Sequence, residues 1–177
     1  IMENKTVTKK ILAQAGFNVP AGGEYHTVEQ AVKAYPFYQT TGFVVKPKST
    51  NYGLGISIFK DGADFADFKE AVRLAFLEDD AILIETFLPG QEYRFFVIDD
   101  KVKAILLRVP ANVVGDGKHT IAELVAQKNT DPRRGKGHRT PLEKIEIQAS
   151  ERLMLKEQGA TRETIPAAGT VVYLREN

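Results

Sequence analysis

The sequence predicts an α+β protein in two lobes, and three observations carry that reading. Its strand patterns are joined by hairpin-type connections, a strand–loop–strand over 43–60 and a second pair over 92–109. Its helical patterns stand apart from these pairs, and no period of 20–50 residues recurs that would indicate a repeat array. A break at 86–90, centred on Pro89-Gly90, suits a hinge between residues 1–88 and 89–177. With 43% hydrophobic and 27% charged residues the chain is an ordinary globular one. A net charge of +1 excludes a global field that would draw it onto nucleic acid or membrane. The absence of cysteine excludes disulfides and thiolate metal sites. His26, His119 and His138 are scattered, without the spacing of a zinc site. No apolar run approaches the ~20 residues that span a bilayer and no signal peptide opens the chain, so a cytoplasmic location is expected. The abrupt ends, Ile1-Met2 and Tyr173 to Asn177, read as those of a piece of a larger protein.

Each element has its own signal. Val7, Ile11, Leu12 and Ala15 fall at helical spacing over 6–15, with Gly16 as a stop. Asn18-Val19-Pro20 turns the chain, and 27–35 reads as a short helix capped by Thr27, facing inward with Val28, Ala31, Val32 and Tyr35 and ended by Pro36. Residues 42–47 form a strand that stops at Pro47, and a polar loop at 48–55 leads into a strand over 56–60, closed by Asp61-Gly62. The clearest helix spans 64–77, with Phe65, Phe68, Val72, Ala75 and Phe76 on one face. Residues 81–85 are a short, nearly continuous apolar strand, which predicts a central position buried on both faces. Strands over 92–98 and 102–109 flank Asp99-Asp100 as a hairpin. Residues 111–148 form a glycine-rich, basic insert with a helix near 120–129. A helix near 150–158 ends at Gly159, and a strand closes the chain at 170–174.

Four places could carry chemistry, and each has a plainer reading. Lys46 ends a strand beside a glycine-bearing loop, a combination that suits phosphate because glycine admits backbone N–H groups and lysine adds a point charge. The same stretch also reads as a surface hairpin that needs Gly53 and Gly55 to turn. Glu85 and Glu92 flank Phe87-Leu88-Pro89-Gly90 and could accept from ribose hydroxyls, or be solvated strand ends. Arg94 and Arg108 stand on the two arms of the hairpin and could hold phosphate or carboxylate bidentately, or form a surface charge pattern. The basic run Arg133 to Arg139 could bind nucleic acid or an anionic substrate. It lacks the aromatic residues that stack on bases and also reads as a solvated loop.

The order of these features resembles the ATP-grasp superfamily: strand, Lys-Pro, glycine loop, strand, helix, strand, Glu, linker, Glu, hairpin. In that fold ATP lies between two antiparallel sheets, one in each lobe. Met2-Glu3-Asn4-Lys5 before the opening helix, the KPKSTNYGLGI loop and the stretch RVPANVVGDGKHTIAELVAQKNTDPRRGKGH are similar to one branch, over residues 2–177. That branch is the bifunctional bacterial glutathione-synthesising family, in which a glutamate–cysteine ligase domain precedes an ATP-grasp glutathione synthetase domain. Cyanophycin synthetases share GDGKHTIAEL, DPRRG and the closing PAAG…VVYLR but differ in the loop after the lysine.

The resemblance implies that Lys5 and Lys46 contact the ATP phosphates and that the loop carrying Ser49, Tyr52, Gly53, Leu54 and Gly55 folds over them. It implies that Glu85 and the backbone of Thr86, Phe87 and Leu88 hold adenine, that Glu92 holds ribose, and that Arg108 steadies the transferring phosphoryl group, with Arg94 beside it on the substrate. The implied reaction activates γ-glutamylcysteine with ATP for attack by glycine, with no nucleic-acid or membrane partner. Members of this superfamily carry their Mg²⁺ (or Mn²⁺) ligands late, as acidic residues and a Glu-x-Asn. Glu176-Asn177 are adjacent, so these ligands are expected beyond Asn177, and this chain alone is expected not to turn over.

Overall fold

Four antiparallel strands in the order β1-β4-β2-β3 form the largest sheet: β1 (Gly22–Tyr25), β2 (Phe43–Pro47), β3 (Ser57–Phe59) and β4 (Ile82–Thr86). The structure is a computed structural model and describes residues 4–49, 54–137 and 139–175. As its apolar run predicts, β4 lies between two strands, and Ile82 to Glu85 are all buried. The edge strand β1 has no apolar alternation and was not predicted. Gly22 allows it, because a side chain there would meet the Ile84 carbonyl at 2.1 Å.

The helices of this half are α1 (Lys5–Gln14), α2 (Val28–Val32), α3 (Tyr35–Tyr38) and α4 (Phe65–Phe76). Caps set the predicted starts. Thr27 accepts from the Gln30 N–H and Asp64 from the Asp67 N–H. Pro36 does not end a helix. It sits in the first turn of α3, where its missing N–H costs no hydrogen bond. α4 covers one sheet face with Phe68, Ala71, Val72 and Ala75, whereas Phe65 stays largely exposed. The centre of this core is aromatic. Phe43 stacks on Phe59 at 4.7 Å between centroids and meets Tyr38 and Phe68 at 5.4 Å each. In β3 the buried pair is Ser57 and Phe59, while Ile58 is half-buried.

α1 departs from its apolar pattern. None of its residues is buried, and Val7, Ile11 and Leu12 face outward. The side laid on the sheet is Lys5, Thr6 and Lys9, held by polar contacts rather than by burial.

A second core gathers Val113, Ile121, Leu124, Val125, Ile145, Leu155, Val172 and Leu174. It is built from β7 (Asn112–Val114), α5 (Ile121–Lys128), α6 (Ala149–Glu157) and β10 (Val171–Tyr173), with β7 and β10 paired antiparallel. Thr120 and Glu123 form a reciprocal capping box at the start of α5. α6 touches both cores, with Leu155 in the second and Leu153 against the first, and its Lys156 bonds Asp67 of α4 at 2.6 Å. The predicted hairpin forms as β5 (Glu92–Ile98) and β6 (Lys101–Arg108), with Asp99 at positive φ in the turn. It stands as its own two-stranded sheet, and nine of its large apolar residues, from Tyr93 to Leu107, remain 46–57% exposed. Two short parallel strands, β8 (Arg134–Gly135) and β9 (Leu142–Glu143), order the basic stretch. Among the described residues no helix is long and apolar enough to cross a membrane.

Candidate functional site

Strand register decides which side chains meet. Val44 lies opposite Glu85, Lys46 opposite Leu83, and Glu24 opposite the same Leu83. Lys46, Glu85 and Glu24 therefore share the sheet face away from α4. α1 lies over that face. Glu85 Oε1 accepts from Lys9 Nζ at 2.7 Å, and Oε2 pairs with Lys46 Nζ at 2.5 Å. Burial pushes the Glu85 carboxyl upward, but the hydrogen bonds from Lys46 and Lys9 outweigh it and hold the group below its ordinary range. Lys5 donates to the Pro47 carbonyl at 2.9 Å, and burial, followed by repulsion from Lys46, lowers its pKa. Next to it Glu24 pairs with Lys48 at 2.6 Å and accepts from the Thr6 hydroxyl at 2.6 Å.

Four ammonium groups thus converge where two carboxylates balance half their charge. Such a face can exchange its internal counter-ions for the oxygens of a polyphosphate. Lys5 and Lys46 were read from the sequence. Lys9, Lys48 and Glu24 were not, although Lys9 lies one helical turn after Lys5 and so presents the same face.

The base of the following loop is clamped by another residue the sequence reading passed over. Asp79 accepts from the Ser49 N–H at 2.6 Å and from the Ala81 N–H at 3.4 Å. Gly55 closes the loop at φ +66°, and a Cβ there would meet Pro47 Cγ and Glu78 Cγ at 2.9 Å, so glycine is required on both counts. Leu54 is exposed. Tyr52 and Gly53 lie outside the described residues.

β4 then leads from Glu85 into the linker. The Thr86 N–H donates to Ala21 O at 2.7 Å and the Phe87 N–H to Gly42 O at 2.9 Å. Of the three backbone N–H groups expected to meet a purine edge, two are engaged. That of Leu88 has no intrachain acceptor among the described residues. Phe87, Leu88, Glu92, Leu107, Arg108 and Tyr173 line a cavity of about 680 Å³. Glu92 sits directly opposite Arg108 in the hairpin register, and their side chains approach to 3.5 Å. Arg94 shares their face of the hairpin, two residues along from Glu92, and is exposed.

The basic run is largely tied to its own surroundings. Arg133 pairs with Asp131 at 2.7 Å, Lys136 with Glu146 at 2.6 Å, and Arg134 donates to the Glu143 carbonyl at 2.8 Å. Among the described residues no group of three His, Asp or Glu side chains is placed to hold a metal ion.

The ATP-grasp domain family profile matches residues 2–157. The chain is 64% identical over 177 residues to the glutathione biosynthesis bifunctional protein GshAB of Enterococcus faecalis, covering all of this chain and 23% of that protein. It is 58% identical to the protein of the same name from Mannheimia succiniciproducens, covering 24% of that one. A crystal structure of a bifunctional glutathione synthetase from Pasteurella multocida is 55% identical over 99% of this chain and 24% of that one, with a TM-score of 0.47. The chain therefore spans about a quarter of the length of the relatives it matches. Its lysine face, glycine-closed loop and linker cleft occur within a stretch that the family profile covers almost throughout, and the chain belongs to the ATP-grasp domain family.

Proposed function

We propose that this chain grips ATP for a carboxylate–amine ligase that makes glutathione from γ-glutamylcysteine and glycine. The observation that carries the reading is the path of β4. One strand links the lysine face at Glu85 to the cleft lined by Phe87, Leu88, Glu92 and Arg108, so a phosphate-binding region and a base-sized cavity are adjacent along a rigid element. Residues 1–88 would form one lobe and 89–177 the other, each with its own buried core.

In this reading Lys5, Lys9 and Lys46 bind the phosphates, the loop from Ser49 to Gly55 covers them, and the Leu88 N–H meets the adenine edge. Glu92 accepts from ribose, and Arg108 balances charge on the transferring phosphoryl group, with Arg94 nearby on the hairpin. The substrate carboxylate oxygen attacks the γ-phosphorus, the bond from that phosphorus to the β–γ bridging oxygen breaks, and ADP leaves. The glycine amine then attacks the acyl carbon, loses a proton, and expels inorganic phosphate from the acyl phosphate. Both steps depend on positioning and charge neutralisation more than on a nucleophile from the protein. When bound, Mg²⁺ (or Mn²⁺) would neutralise charge on the phosphates; among the described residues no group of three or more His, Asp or Glu side chains is placed to hold it. A cytoplasmic setting and a glutamate–cysteine ligase domain in the same parent chain belong to this reading.

Calorimetric titration with ATP tests it, beside Lys46→Ala and an oligonucleotide control. Saturable ATP binding that the substitution weakens about tenfold, roughly 1.4 kcal/mol, is the expected result. Oligonucleotide binding without ATP binding would overturn the assignment in favour of the basic run.

A further inference from the structure

A second cavity of about 560 Å³ lies beyond Arg108, and Arg108, Val109 and Pro110 form a wall common to it and to the linker cleft. Its size is within the range of small-molecule sites, roughly 300–1,000 Å³. Its lining is net positive, five Lys and Arg side chains against Glu143, Glu146 and Glu151. Glu151 is buried and taken up by Arg175 at 2.6 Å, and Glu146 pairs with Lys136 at 2.6 Å. Lys128 and Arg134 also line the cavity, and the hydrogen bonds that hold them go to neutral oxygens. Lys128 Nζ donates to Asn112 O at 2.6 Å and Oδ1 at 3.1 Å, and Arg134 Nη1 donates to Glu143 O at 2.8 Å. Burial, then the nearby Arg134 charge, lowers the Lys128 pKa. Two partly buried cations held close together by neutral acceptors favour an anion between them. Pro110, Pro141 and Leu142 add apolar wall, so the fitting ligand is a small organic anion rather than a bare ion.

We propose that this cavity receives the non-reacting carboxylate of the acyl-donor peptide, with Lys128 and Arg134 as the cations that determine specificity. The inference rests on the ligase reading above. It places the reacting carboxylate at Arg108, on the wall between nucleotide and peptide, and it gives a role to the part of the basic stretch that faces inward. Arg133 and Lys136, paired with Asp131 and Glu146, serve to hold that stretch in place.

The test is a pair of titrations on the protein and on its Lys128→Gln and Arg134→Gln variants, one with γ-glutamylcysteine and one with ATP. A third ligand, 4-aminobutanoyl-cysteine, lacks the γ-glutamyl α-carboxylate. The expected result is a loss of dipeptide affinity of about tenfold or more in either variant, matching removal of a charge-assisted hydrogen bond. ATP affinity should stay within about twofold. The truncated ligand should lose the same factor against wild type and little more against the variants, and Arg134→Lys should recover part of the loss. Equal dipeptide affinity in wild type and variants, or equal affinity for the two peptides, overturns the proposal. So does ATP binding without any dipeptide binding. Failure of ATP binding together with loss of the Lys46 effect retires the nucleotide reading instead.

Discussion

Glu85→Gln removes one negative charge from beneath two lysines and keeps the shape. Glu85 is 3% exposed, and its two oxygens serve Lys9 at 2.7 Å and Lys46 at 2.5 Å. Breaking a fully buried ion pair from one side costs about 3–5 kcal/mol. Here the lysine side chains are 26% and 24% exposed, so water takes over part of their solvation and about 2–3 kcal/mol is expected. At roughly 2–4 °C per kcal/mol for a chain of this size, the melting temperature should fall by roughly 4–12 °C. Acid should narrow the gap. The folded-state pKa of Glu85 is depressed, so its contribution is complete above the ordinary value of 4.5 and is lost as pH falls below that through the folded value. Wild type and the Glu85→Gln variant should therefore converge in stability below about pH 4.5. Saturating ATP should raise the melting temperature of the variant more than that of wild type, because phosphate oxygens replace the missing counter-ion. Thermal scans followed by circular dichroism, with and without ATP across pH 3–8, read all of this. A melting temperature within about 2 °C of wild type at pH 7, with an unchanged ATP increment, would refute the claim that Glu85 holds the lysine face together.

Two further outcomes follow from particular residues. Tyr38 is buried, its hydroxyl donates to the Ile84 carbonyl at 3.2 Å, and burial pushes its pKa up to about 12. Its contribution to stability is complete below pH 10 and is lost as pH rises toward 12, so phenolate absorbance at alkaline pH should show one tyrosine ionising late, together with unfolding. The β5–β6 hairpin has two strands and little buried surface, so its amides should exchange with solvent many times faster than those of β2 and β4, and equal protection in a hydrogen-exchange experiment would contradict this ordering.

What the sequence made legible was local. The hairpin announced itself through two long strand patterns around Asp99-Asp100, α4 through the apolar spacing of Phe65, Phe68, Val72, Ala75 and Phe76, and α6 through its stop at Gly159. β4 was readable because the apolar run Ala81-Ile82-Leu83-Ile84 gives no alternation with polar residues, as expected of a strand covered on both faces. β1 was not readable, since Gly22-Gly23-Glu24-Tyr25 has neither alternation nor β-branched residues. It is a strand because β4 needs a backbone partner at that edge and glycine lets one approach. α1 shows the reverse case: its apolar spacing was real, but polar pairing with the sheet outcompeted it.

The site divides along the same line. Lys46 and Glu85 could be picked out because each ends or follows a recognisable strand. Their contact, and the contacts of Glu85 with Lys9 and of Glu24 with Lys48, join residues 24 to 76 positions apart that only the tertiary fold brings together. These tertiary pairs bear on how the face can work. With Glu85 and Glu24 in place the lysines are partly neutralised, which limits their mutual repulsion in the ligand-free state. A polyphosphate must then displace or share those carboxylates, so the lysine face by itself gives only part of the binding free energy. The remainder has to come from contacts the carboxylates do not contest. The cleft at Phe87, Leu88 and Leu107 supplies apolar area for a base, and Arg108 faces a rim partner in Glu92 that is itself more than half exposed. Affinity for the whole nucleotide should accordingly exceed the sum expected from triphosphate and adenosine tested alone, because the rigid path of β4 spares the second contact the cost of being brought into place.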